Sequence, residues 1–131
     1  MKRFLIGTFA LVAAAAVWAS LGTVSFAASE QTWTGIISDS HCGALHRAEI
    51  EHGGKITARE CVVGRAGDPN LPGCVSEKNG AKFVVVVGDK VFQVANQGLK
   101  ELRTFAADNV KVTGTLAGDT ITISKIVAAG K

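Results

Sequence analysis

Phe83-Val84-Val85-Val86-Val87 is a continuous apolar, largely β-branched run, and Gly88-Asp89 closes it with a two-residue turn. Lys90 to Ala95 then returns as a second strand, so this stretch predicts a β-hairpin. A strand apolar on both sides lies between two covered faces, which commits the chain to a sheet with a buried interior. Trp33-Thr34-Gly35-Ile36-Ile37-Ser38 reads as an earlier strand, its glycine marking a bend or bulge. After Asp108-Asn109 the period is again two. Val110, Val112, Gly114 and Leu116 face one way and Lys111, Thr113 and Thr115 the other. Gly118-Asp119 is a second tight turn, and Thr120 to Val127 pairs back with Ile121 and Ile123 inward.

Between the third and fourth of these five strands the period lengthens. Leu99, Leu102, Phe105 and Ala106 share one side and Lys100, Glu101 and Arg103 the other, which predicts an amphipathic helix over 98–107. Five strands with one helix in that place match the small, partly open Greek-key barrel of the OB-fold, with a small α+β sandwich as the competing architecture. The predicted fold class is therefore mainly β, an OB-like five-stranded barrel with a long insertion, residues 39–80, between strands 1 and 2.

The start of the chain fixes an expected address. Lys2-Arg3, an apolar run from Phe4 to Leu21 and small residues at Ser25 and Ala27 predict a secretory signal over 1–27, leaving one domain over 28–131. The expected location is periplasmic or secreted, with no membrane span after cleavage. Of fourteen basic residues two lie in this leader, so twelve face eleven acidic ones in the remainder. Such a balance, without a basic tract, argues against nucleic acid as a partner. The expectation is a monomer that meets an unidentified ligand or envelope partner.

All three cysteines and all three histidines fall between His41 and Cys74. Ser38-Asp39-Ser40 supplies cap-forming side chains before a helix expected over Cys42 to Glu51, Gly53-Gly54 ends it, and Thr57 caps a second helix that carries Cys61. The stretch from Gly64 to Gly73, with Pro69 and Pro72, is loop. In an exported chain three cysteines permit one disulfide and one spare thiol, with the pairing open, and a bridge would staple the insertion to the barrel. The alternative is a metal site. Cys42 and His46 lie four apart, on one face if helical, and Cys61 and Cys74 complete a set of three thiolates and one imidazole suited to zinc or another thiophilic ion, with His41 or His52 as substitutes for His46. A third reading makes Cys42 a nucleophile and His46 its base. No Cys-x-x-Cys is present, and the expectation is a non-enzymatic module.

The combination Thr34-Gly35, Ser38-Asp39-Ser40, Cys42-Gly43, His46, Glu60-Cys61, Cys74-Val75, Gly80-Ala81-Lys82-Phe83, Gly88-Asp89-Lys90-Val91-Phe92, Lys111-Val112-Thr113-Gly114-Thr115-Leu116 and Gly118-Asp119-Thr120-Ile121 resembles a family of short exported bacterial proteins of unknown function. The resemblance covers nearly all of the chain after the leader. It implies an exported small β-barrel domain and brings no activity with it. In that family the later two cysteines stand about a turn of helix apart, whereas here Val62 to Gly73 separates them. That glycine- and proline-containing insertion either loops out and keeps the sulfurs together, or breaks the site.

Overall fold

The structure is a computed structural model and describes residues 28–44 and 55–130. The expected leader over 1–27 lies outside the described residues, as do His46, His52 and most of the helix expected over Cys42 to Glu51; its described start, Cys42 to Ala44, is turn instead, with Gly43 at φ 56°.

Five strands form one mainly β sheet: β1 (Gln31–Asp39), β2 (Phe83–Val87), β3 (Lys90–Val94), β4 (Asn109–Ala117) and β5 (Thr120–Ala128). Pairing runs β1-β2-β3-β5-β4 and returns from β4 to β1, so the sheet closes on itself. The closure is uneven. β1 and β4 pair over six residues from Gln31↔Gly114 to Ile36↔Asn109, but β3 and β5 meet in parallel only at Gln93↔Thr120 and Val94↔Ile121. One side-chain amide extends that ladder and a second extends the β2–β3 ladder. Asn96 donates Nδ2 to the Ile123 carbonyl at 2.8 Å and accepts the Ile123 N–H at 2.9 Å. Gln97 makes the same pair of bonds to Phe83, at 2.9 and 2.8 Å. Backbone groups that lack a strand partner are thereby satisfied.

The interior is filled by alternate strand positions: Ile37 from β1, Phe83 and Val85 from β2, Phe92 and Val94 from β3, and Val110 and Val112 from β4, with Ile121, Ile123 and Ile126 from β5. The spacing in β5 breaks alternation because of a bulge. Thr113 faces Lys125 and Gly114 faces Ile123, so Ser124 is left over and turns its hydroxyl to the Thr113 carbonyl at 3.1 Å. One extra residue restores Ile126 to the inside. On β2, Val84 and Val86 are buried as well as Val85, so both faces of that strand are covered.

Two short helices are described, α1 (Ala58–Val63) and α2 (Lys100–Thr104). The helix expected over 98–107 is thus only five residues long. Its polar and apolar sides are as the pattern requires, with Leu102 fully buried, but tertiary pairing cuts it short. Ala106 forms a parallel bridge with Ile37, and Ala107, at φ 67°, donates its N–H to the Ile37 carbonyl at 2.8 Å. The chain therefore leaves the helix to meet β1 before it enters β4.

Among the described residues no helix is long and apolar enough to cross a membrane.

Candidate functional site

β1 ends at Asp39, whose side chain organises the turn that leaves the strand. Oδ1 accepts the backbone N–H groups of His41 and Cys42, each at 2.9 Å, while the Asp39 carbonyl accepts from Gly43 at 2.8 Å. An Asp bonding the chain two and three residues ahead is a turn-forming arrangement. Ser38 adds a 2.7 Å bond from its hydroxyl to the Gly43 carbonyl, and Ser40 exchanges bonds with Lys82 across the neck of the insertion. Cys42 is held by this turn.

Cys61 lies on α1, which starts as the sequence predicts. Thr57 and Glu60 form a reciprocal capping box, satisfying two of the backbone donors that a helix start leaves bare. Glu60 also receives the Arg65 guanidinium at 2.6 Å. That bond, with the Thr57 N–H, lowers the Glu60 pKa to about 2. A carboxylate depressed when folded contributes stability above its unfolded pKa of about 4.3 and loses it as pH falls toward 2. Wild type should therefore unfold at a higher temperature than Glu60→Gln at neutral pH, and the two midpoints should converge as the pH is lowered to about 2. A constant gap down to that pH would show that the pair is not the cause.

The twelve-residue excursion loops out and brings Cys74 back beside Cys61. Cys74 donates its N–H to the Cys61 carbonyl at 2.7 Å and Val75 donates to Val62 at 2.9 Å. Two glycines permit this approach. Gly64 and Gly73 have φ of 81° and 79°, and a Cβ on Gly73 would stand 2.2 Å from the Gly64 nitrogen. The insertion is also latched to α2: Arg59 donates to the carbonyls of Arg103 and Thr104 at 2.9 and 2.8 Å, and Arg103 donates to the Val75 carbonyl at 3.0 Å.

These constraints converge on one point. Cys61 Sγ lies 3.8 Å from Cys42 Sγ and 3.9 Å from Cys74 Sγ. One ligand atom from each of Asp39, Cys42, Cys61 and Cys74 falls within 4.8 Å of the others. All three cysteines are free, so the expected bridge is not formed. Asp39 is fully buried, its Oδ2 has no hydrogen-bond partner, and among the described residues it makes no ion pair. A buried polar oxygen without a partner is costly, and a cation placed between it and the thiols would supply one.

The thiols are held in their neutral form. Burial is the largest cause for each, raising all three pKa values. The negative charge of Asp39 comes next for Cys42 and Cys74, and that of the other two sulfurs for Cys61.

The structure thus brings together Cys42, Cys61 and Cys74 from the sequence-derived set. His41 is exposed and outside the cluster; His46 and His52 lie outside the described residues. The fourth group on hand is Asp39, which sequence reasoning treated as a cap. Its signal was its position three residues before Cys42 in a turn-forming Ser-Asp-Ser run.

Comparisons with protein-family models, with curated proteins and with solved structures return no match for this chain.

Proposed function

We propose that this chain is an exported, non-enzymatic binding module whose insertion holds a thiophilic metal ion, zinc foremost, between Asp39, Cys42, Cys61 and Cys74. The observation that carries the reading is the buried, partnerless Asp39 oxygen in a residue that also faces three converging thiols. Geometry supports it further. A tetrahedral zinc site with Zn–S bonds of about 2.3 Å sets its sulfurs about 3.8 Å apart. The two short sulfur separations are 3.8 and 3.9 Å. An ion would lower the thiol pKa values by its own charge, reversing the effect of burial, and would satisfy the carboxylate.

A four-ligand closed set suits a structural or storage role rather than catalysis, which needs an open position. Thiols pushed up in pKa are likewise poor nucleophiles. The order β1-β2-β3-β5-β4 with α2 between β3 and β4 supports reading the sheet as an OB-like barrel. Export rests on the leader pattern at 1–27, and kinship with the exported family on motifs such as Ser38-Asp39-Ser40, Cys42-Gly43 and Cys74-Val75.

Native mass spectrometry of protein reloaded with zinc after chelation tests the site. One ion per chain is expected, with proton release on uptake because the thiols start protonated. Cys61→Ser should abolish stoichiometric binding, and Asp39→Asn should weaken it roughly 10- to 100-fold. Undiminished binding in Cys61→Ser would remove the site, and loss in His46→Ala but not in Asp39→Asn would return the fourth position to the imidazole.

A further inference from the structure

Cys61 and Cys74 differ from Cys42 in two respects. Their main chains are hydrogen-bonded directly, Cys74 N–H to the Cys61 carbonyl at 2.7 Å. Such a bond holds the two Cα atoms within about 6.5 Å, inside the span of about 4.4–6.8 Å that a disulfide accepts. These two cysteines also share a cavity that Cys42 does not line. It is about 180 Å³, and Ile56, Leu71 and Pro72 give it apolar walls with Asn70 and Asn79 beside them. That is room for part of a small molecule such as one arm of a small disulfide, but not for a folded protein.

We propose that this cavity is a thiol–disulfide exchange site for a small-molecule disulfide, which joins Cys61 to Cys74 and ejects the metal ion, leaving Cys42 as the free thiol. The inference rests on the metal reading for its second half; the choice of bonded pair stands on the cavity and the backbone bond alone.

The exchange balances in two displacements. The sulfur of Cys61 or Cys74 must first give up its proton, which burial makes slow, and the resulting thiolate attacks one sulfur of the incoming disulfide, forming a mixed disulfide and releasing one small thiolate, which takes up that proton. The neighbouring cysteine sulfur then displaces the second small thiolate and closes the Cys61–Cys74 bond. Two protein sulfurs are oxidised and one small disulfide is reduced to two thiols. Bonded sulfurs sit about 2.05 Å apart, so the sulfur separation of 3.9 Å must contract and the three-sulfur set is lost. Removing two of three thiolates from a zinc site destroys its affinity.

The test uses protein made from the full-length sequence, metal-free in one arm and zinc-loaded in the other, each treated with oxidised glutathione. After alkylation and peptide mapping, the metal-free arm should show a Cys61–Cys74 bridge with Cys42 alkylated. The zinc arm should reach the same product at least tenfold more slowly, releasing one zinc per bridge to a chromophoric chelator. Cys42→Ser should still form the bridge. A bridge to Cys42, or glutathione retained on Cys42, would overturn the exchange site whether or not zinc binds. Failure to load zinc, with the predicted bridge still forming in the metal-free arm, would overturn the metal reading and the ejection step while leaving the pair assignment standing. Zinc retained after full bridging would overturn the ejection step.

Discussion

Zinc supplied at a hundred times its dissociation constant will raise the thermal midpoint of the chelator-treated protein by roughly 10 to 20 °C. The size follows from mass action: that excess stabilises the native state by about 2.7 kcal/mol, and in a domain of this length each kcal/mol moves the midpoint by about 4–8 °C. The ion would tie together three segments that otherwise share little core. Cys42 follows β1, Cys61 lies on α1, and Cys74 follows the loop that Gly73 closes. Among the described residues from Asp39 to Gly80, only Val62 and Val75 belong to the buried cluster, with Val63 and Cys74 packed against it. Circular dichroism melts with and without zinc provide the check. The Cys61→Ser variant should show no shift, and an unmoved midpoint in the wild type would mean that zinc does not bind the native state.

Gly73→Ala is expected to destabilise the protein by about 2–5 kcal/mol and to weaken zinc binding at least tenfold. A Cβ there would meet backbone on three sides, 2.2 Å from Gly64 N, 2.5 Å from Val63 C and 2.9 Å from Val62 O. None of these is a flexible side-chain end, so the main chain itself must move, and with it the bond that seats Cys74 against Cys61. The backbone conformation adds about 1–2 kcal/mol for any residue with a Cβ, and overpacking about 1–3. Gly67→Ala separates the two causes. Gly67 has a similar φ of 78° but nothing within 4 Å of the added carbon, so it should show the conformational part only and leave zinc affinity unchanged. Equal losses in both variants would show that close approach at Gly73 is not what holds the cysteines together.

Local rules carried much of this fold in the sequence because local chemistry made the choices. The Phe83–Val87 run, the Gly88-Asp89 and Gly118-Asp119 turns and the Thr57 cap each depend on neighbours a few residues away. What escaped depends on distant partners. The end of α2 is set by Ile37, some seventy positions earlier, and the place of Ile126 by a bulge opposite Thr113. The same division holds at the site. Three cysteines in one stretch were visible, but their meeting required Gly64 and Gly73 to pass within touching distance, which no periodicity encodes. Asp39 was legible only as a cap-forming side chain. Its second oxygen became informative only once burial had left it without a partner.

Asn96 and Gln97 stand where the main chain has no strand to offer, and their amides act as substitutes for it. A peptide group is chemically durable, whereas a side-chain asparagine amide hydrolyses as a protein ages. Turning Asn96 into an acid would exchange its donor for a negative oxygen facing the Ile123 carbonyl, repelling the group it now binds. Old molecules would then differ from young ones at their narrowest junction, offering β5 an unpaired margin to which a strand from a neighbouring molecule can add.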